Sequence, residues 1–274
     1  MATIDDVGRT AFNVACWRHQ EGLKPAPLFV DPYAEHFLNE EVRHTADKIA
    51  QALPESRTMI QYRTRYLDDA LAKQIASGIE QVVILGAGFD TRSLRQQRQD
   101  VAFFEVDRAP VLDFKQEALK RAGVSLESTY VACDYVADDP FSRLAKYGLN
   151  CSAPTYVIWE GNTMYLSKED VTGTLEKTEK ALNAFAISFD YVSDKVISRT
   201  TGFKAVSELT DRVERMGTPW LSGFAQDELA GLSSFHVVED LTLAKVMGQC
   251  GPVNGAVNEV FSVYSVCTLQ SRVH

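Results

Sequence analysis

The chain has 274 residues, 45% of them hydrophobic and 24% charged, and a formal net charge of −9. This length holds one large buried core or a core with a cap, in proportions ordinary for a soluble globular protein. The negative balance argues against binding a nucleic-acid backbone, and no run reaches the ~18 apolar residues that a membrane span requires.

The opening "MATIDDVGRTAFNVACW" carries two early acids and no long apolar core, unlike a secretory signal. Residues 1–56 read as helical, with a loop at "LKPAPLFVDPYAEHF". One helix follows over 57–78 and stops at Gly78. On it Ile60, Leu67, Leu71 and Ile75 form an apolar stripe, and Arg63 falls on that stripe. Arg65 is turned by about 200° and faces water. A buried arginine needs an anion, supplied by an acid of the protein or by a ligand.

Strands are expected at 81–85, 101–107, 128–133, 155–160 and 186–192, with two more runs at 235–241 and 259–269. The first are near-continuously apolar, as when helices cover both faces. Helical patterns such as "APVLDFKQEALKRAG" and "SKEDVTGTLEKTEKALN" fill the gaps, and this alternation predicts an α/β doubly wound parallel sheet. The expected layout is a single domain over 1–274. It has an N-terminal helical part (1–78), a cofactor-binding core (79–194), an insert (195–232) and the last two strands (233–274). The insert contains "MGTPWLSGF" and reads as a helical lid over the strand ends or as a packing element. Five scattered cysteines without a C-x-x-C pair predict reduced thiols in a cytoplasmic setting, and the five histidines show no ligand spacing, so no metal is expected.

The stretch "QVVILGAGFDTR" places Gly86, Ala87 and Gly88 where the first strand gives way to a helix. Two glycines let a ligand approach the backbone, and helix N-termini offer unpaired N–H groups. A dinucleotide fingerprint wants a third glycine where Thr91 stands. Asp107 ends the second strand 21 residues after Gly86, a spacing suited to a carboxylate that accepts both hydroxyls of a ribose. Glu105, two residues earlier, is a candidate helper. Asp134, followed by Tyr135, ends the third strand, where an acid accepts an adenine amino group or merely starts a turn. Glu160 ends the fourth. Ligands of open parallel sheets bind beyond the carboxyl ends of strands, where these residues fall. A rim of carboxylates repels a pyrophosphate but suits S-adenosyl-L-methionine, with its sulfonium and ammonium charges.

Together these stretches resemble the leucine carboxyl methyltransferase family, in its bacterial small-molecule branch of polyketide carboxyl methyltransferase type. The matching segments are "LFVDPYAEHF", "RTRYLDD", "VVILGAGFDTRSLR", "FFEVDRAPVLDFK", "CDY" and "WEGNTMYLSKEDV", spread from residue 28 to 171. The resemblance implies a class I (Rossmann-like) methyltransferase fold with seven strands, the last antiparallel, and S-adenosyl-L-methionine as donor. It implies that Arg63 binds the donor carboxylate, that Gly86 and Gly88 line the donor, and that Asp107 holds the ribose. Asp134 and Tyr135 would take the adenine and Glu160 the ammonium, with Arg18 a further basic contact. The Asp90-Thr91-Arg92 trio is expected to be structural, capping a helix and pairing internally. Relatives carry an apolar residue after Glu-Gly where this chain has Asn162 and Thr163, whose side chains are expected near the acceptor, and Tyr165 is a candidate to orient it.

The reaction expected is methyl transfer to an oxygen of a small molecule, foremost a carboxylate, which needs in-line placement rather than a strong base. The alternatives are methylation of a phenol or hydroxyl, with His236 or His19 as base, and a nicotinamide oxidoreductase. The partner expected is a small-molecule acceptor, not nucleic acid or a membrane, and the sequence leaves the oligomeric state open.

Overall fold

Five apolar-to-polar residues that all bury, Gln81–Leu85, make β1 with the bounds read from the sequence. In the computed structural model residues 9–232, 235–251 and 258–272 are described, and the chain divides between Leu149 and Asn150 into two compact units.

The first unit opens with helix α1 (Arg9–Gly22), a 3-10 turn at Ala34–Phe37 and α2 (Glu40–Ala52), whose first turn is capped where Asn39 Oδ1 accepts the Val42 N–H at 2.8 Å. Helix α3 runs Pro54–Ala76. It begins three residues before the expected start because Pro54, with its fixed φ, occupies the first turn. Gly78 lies past its end at φ 95°, a left-handed conformation that suits glycine. Strand β1 leads through the short α4 (Arg92–Arg95) to β2 (Ala102–Asp107), α5 (Ala109–Arg121), β3 (Thr129–Ala132) and α6 (Pro140–Lys146). β2 pairs in parallel with β1 on one side and β3 on the other. The register sets Leu85 opposite Val106, so Asp107 lies level with the glycine turn. Phe89 of that turn stacks on Phe37 at 4.7 Å and meets the Phe12 ring edge-on at 4.9 Å. These rings fasten the turn to α1 and to the 3-10 segment, inside a buried cluster with Val111 and Leu119 of α5.

The second unit contains β4 (Thr155–Trp159), a 3-10 turn at Thr163–Tyr165, α7 (Lys168–Ala181), β5 (Phe185–Val192), and the short helix α8 (Asp194–Ile197). It continues with α9 (Lys204–Arg215), α10 (Gln226–Ala230), β6 (Phe235–Thr242), α11 (Leu243–Gln249) and β7 (Tyr264–Ser271). β4 and β5 are parallel, and β7 is antiparallel to both β5 and β6. Among the described residues the first unit has three strands and the second four, the expected seven. The last strand starts later than the apolar run suggested. Residues 259–262 form a 3-10 turn because Asn258 Oδ1 accepts the Val260 N–H at 3.0 Å and diverts the chain. No helix among the described residues is long and apolar enough to cross a membrane.

The insert after β5 is tied down at several points. The Phe224 N–H donates to the Val192 carbonyl at 3.0 Å, Lys168 pairs with Glu228 at 2.6 Å, and the Lys168 ammonium lies 4.9 Å from the Phe224 ring centroid. Gly223 makes this approach possible: a Cβ there would lie 2.7 Å from the carbonyl oxygens of both Val192 and Ser193. Gly223→Ala is therefore expected to cost about 1–3 kcal/mol through overpacking. A urea unfolding midpoint equal to that of the unaltered chain would contradict this packing.

Candidate functional site

The turn after β1 is shaped by backbone bonds. The Ala87 N–H donates to the Val106 carbonyl at 3.0 Å and the Asp90 N–H to the Ala87 carbonyl at 2.7 Å. Gly86 (φ 63°) and Gly88 (φ 46°) take left-handed conformations that L side chains rarely adopt. Both glycines keep partial exposure, whereas Ala87 turns inward and is buried. Ala87 frames the turn through its bond to β2.

Beneath the turn lies a set of buried charges that cancel. Asp31, Asp68, Asp90 and Glu105 face Arg18, Arg92, Arg95 and Lys115. Arg92 Nε donates to Asp68 Oδ1 at 2.7 Å and its Nη1 to Asp90, while Asp90 Oδ1 accepts the Arg92 N–H at 2.7 Å. Thr91 Oγ1 donates to Asp31 at 2.8 Å and accepts from Arg95 Nε at 3.0 Å. The expected internal pairing of Asp90-Thr91-Arg92 is thus met, with Asp90 accepting the first N–H of α4 while Thr91 stands at the cap position without a side-chain bond to the helix. Glu105 does not help at the strand end. Its side chain faces inward, fully buried, where Lys115 and Ser93 donate to it, Ser93 Oγ at 2.6 Å. Lys115 also donates to the Asp90 carbonyl.

Asp107 stands outside that closed set. Its Oδ2 accepts the Gly88 N–H and its Oδ1 the Arg108 N–H, both at 2.7 Å. Each oxygen retains acceptor capacity beyond these bonds. Burial pushes its pKa above the usual aspartate value, opposed more weakly by those two N–H groups and by Arg108 and Lys115. Asp134 is exposed, and its Oδ1 accepts the N–H groups of Val136 and Ala137 at 3.2 Å, so it builds the turn after β3. Tyr135 beside it is partly buried. Arg63 is buried on α3, on the face the apolar stripe marks, while Arg65 is partly exposed and donates to Asp69 and to the Leu28 carbonyl. Arg18 is buried too. Its Nη2 donates to the Phe89 carbonyl, and its Nε lies 3.1 Å from Asp31 Oδ2 in an ion pair not aligned as a hydrogen bond. His19 is half-buried, and burial followed by the charge of Arg43 pushes its pKa down.

In the second unit Glu160 closes β4 and is partly buried. The Asn162 amide donates to the Glu160 carbonyl at 2.7 Å and locks the turn between them. Thr163 does not reach outward as expected, because its hydroxyl is buried and donates to the Asp190 carbonyl. Tyr165 is partly buried at the end of the 3-10 turn, and His236 is exposed on β6. Asp190 escaped the sequence reading. It is the single acid in the fully buried strand "FAISFDYV", and a buried carboxylate must be paired or hydrogen-bonded, a signal that would have marked it.

The model of a family described as leucine carboxyl methyltransferase matches residues 11–179. The chain belongs to this family. Among its relatives, a protein of Mycolicibacterium paratuberculosis provisionally named as an S-adenosyl-L-methionine-dependent methyltransferase is 37% identical over 174 residues. The match covers 58% of this chain and 58% of that protein. A Mycobacterium tuberculosis protein with the same provisional name matches at 37% over 174 residues, 58% of this chain and 57% of its own. The chain thus spans less than two thirds of these relatives. Among solved structures, a provisionally named methyltransferase of Thermobifida fusca superposes with a TM-score of 0.66 at 17% identity, covering 94% of each chain. A DUF574 family protein of Streptomyces avermitilis gives 0.65 at 14% identity over 94% of this chain and 97% of its own. These likenesses establish the class I, Rossmann-like methyltransferase fold that the strand pattern and the resemblance implied.

Lys115→Met should leave the Glu105 charge buried without its cation and cost about 3–5 kcal/mol, while Glu105→Gln combined with Lys115→Met recovers most of it. Chemical denaturation of the single and double variants measures this. Equal stability of the single variant would contradict the arrangement.

Proposed function

We propose that the chain is an S-adenosyl-L-methionine-dependent methyltransferase acting on an oxygen of a small molecule, with a carboxylate as the acceptor that best fits. The observation that carries this reading is Asp107, a partly buried carboxylate at the end of β2, steered by the N–H groups of Gly88 and Arg108 beside an open glycine turn. The acids and bases below the turn already compensate one another, so Asp107 keeps acceptor capacity for a ligand that brings hydroxyls. A pyrophosphate finds the wrong sign of charge at this rim.

The donor supplies an electrophilic methyl group on a sulfonium. The chain's own groups then have assigned tasks. Asp107 accepts the ribose hydroxyls, the exposed edges of Gly86 and Gly88 allow close approach, and Asp134 with Tyr135 borders the base. Glu160 balances the ammonium and Arg63 the donor carboxylate, while Arg18, expected as a further cation, supports the turn from α1 through the Phe89 carbonyl and Asp31. Asn162 and Tyr165 are proposed to border the acceptor. A carboxylate acceptor is ionised at neutral pH, so its oxygen forms the new bond to carbon while the carbon–sulfur electron pair stays on sulfur, and no side chain need take a proton. The provisional names of the mycobacterial relatives support the donor, and the description of the family supports a carboxyl acceptor.

Two outcomes test the reading. Incubation with methyl-labelled donor and a panel of small carboxylic acids is expected to give a labelled product that releases methanol in mild base, as esters do and ethers do not. A base-stable product would move the acceptor to a hydroxyl. Donor affinity should fall on the order of 10- to 100-fold in Asp107→Ala, given hydrogen bonds to a charged acceptor. The ionised form of Asp107 accepts the hydroxyls, and burial raises its pKa, so affinity falls as the carboxylate is protonated. It should be lost on acidification at a pH above the ordinary aspartate range, and Asp107→Asn should flatten that loss. A pH profile identical in both proteins would refute the assignment.

A further inference from the structure

The turn after β4 is held from below by Asp190 of β5. This carboxylate is fully buried. Its Oδ1 accepts the Gly161 N–H at 2.6 Å, its Oδ2 accepts the Tyr264 hydroxyl from β7, and its own carbonyl accepts the Thr163 hydroxyl. Gly161 sits at φ 72°, so the turn is fixed in a conformation that the hydrogen bond selects and glycine permits. The bonds continue upward: Ser222 Oγ donates to the Thr163 carbonyl at 3.0 Å, and the Leu221 N–H donates to the Met164 carbonyl at 2.7 Å. Residues 161, 163 and 164 are therefore all pinned, and Glu160 and Asn162 project from the same short turn.

The geometry repeats that of the first unit. There Asp107, at the end of β2, accepts the N–H of Gly88 from the turn after β1. Here Asp190, near the end of β5, accepts the N–H of Gly161 from the turn after β4. The difference is exposure. Asp107 is partly open and can meet a ligand, whereas Asp190 is 0% exposed and can act only through the turn it holds.

We infer that Asp190 is a positioning residue, which sets the Glu160–Asn162 turn for donor and acceptor while Tyr264 steadies its second oxygen. This rests on the methyl-donor reading given above. An alanine at 190 frees the Gly161 N–H and the Tyr264 hydroxyl together. An asparagine keeps one acceptor oxygen for Gly161, and the Tyr264 hydroxyl can reverse to accept from the amide.

The test is calorimetric titration of the donor, with steady-state methyl transfer, across six variants. Asp190→Ala should weaken donor binding about tenfold, since small displacements of positioning groups carry effects of this size. Asp190→Asn should recover most of the loss. Ser188→Ala serves as the control: Ser188 lies on the same strand and bonds Tyr156 and Thr268 at 2.6 Å, away from the turn. It should lose stability and leave donor affinity unchanged. Glu160→Gln and Asp190→Ala combined should fall short of the product of their separate effects, as expected when one residue acts through the other. Should Asp190→Ala fail to fold, Tyr264→Phe decides, with an expected two- to fivefold loss of affinity in a folded protein. Unchanged affinity in Asp190→Ala, an equal loss in Ser188→Ala, or a fully multiplicative double variant would overturn the inference. Unchanged affinity in Glu160→Gln would instead strike at the donor reading on which it rests.

Discussion

Lys115 reaches from α5 to two places at once, the Glu105 carboxylate inside β2 and the Asp90 carbonyl at the far side of the glycine turn. That one buried ammonium joins a strand, a helix and a turn, and its charge is admissible only because Glu105 is there to meet it. The same condition propagates outward. Arg92 needs Asp68 and Asp90, and Arg95 needs Asp68. Asp31 is approached by Arg18 and by the Thr91 hydroxyl. Four anions and four cations from six sequence segments close on one another under the turn. Burying such a set gives no guarantee of stability, but removing any one member strands a charge. The turn is therefore specified by the chain's own charges before any ligand arrives.

This closure clarifies which acids face outward. The sequence presents a row of carboxylates at strand ends and within strands, and proximity in the chain does not sort them. Glu105 and Asp107 are two residues apart, yet the first is spent internally while the second meets only backbone N–H groups. Asp134 commits one oxygen to its own turn. In the second unit Asp190 and Glu160 divide in a similar way, one buried and bonded to Gly161, the other partly exposed at the end of β4. Each unit has one buried and one outward carboxylate, but the glycine N–H goes to the outward acid in the first unit and to the buried acid in the second. The proposed chemistry asks for this division, since a cationic donor needs acids at the surface of the turn and a rigid turn beneath them.

Much of this was legible in the residues. The strand bounds of β1 followed from an apolar run that ends at glycine, and the helix over Ala109–Arg121 from its periodicity. The family motifs pointed to the glycine turn and to Asp107. What the sequence withheld was the partner of each charge. Nothing in "EVD" followed by lysine says that Glu105 turns inward to Lys115, because the alternation of a strand fixes a face and not which face is buried. Thr163 was read as facing the acceptor because its neighbours mark the site, and its hydroxyl instead found the Asp190 carbonyl. Asn258 diverted the chain into a 3-10 turn where the apolar run suggested a strand, since a local side-chain cap outweighs propensity over so few residues.

The central claim is that the glycine turn and Asp107 receive a sulfonium donor and not a dinucleotide. Isothermal titration of the folded chain with S-adenosyl-L-methionine, set against NAD under the same conditions, tests it most directly. The account predicts saturable heat with the sulfonium donor, an affinity weakened on the order of 10- to 100-fold in Asp107→Ala, and no heat with NAD. Heat with NAD and none with S-adenosyl-L-methionine would contradict it.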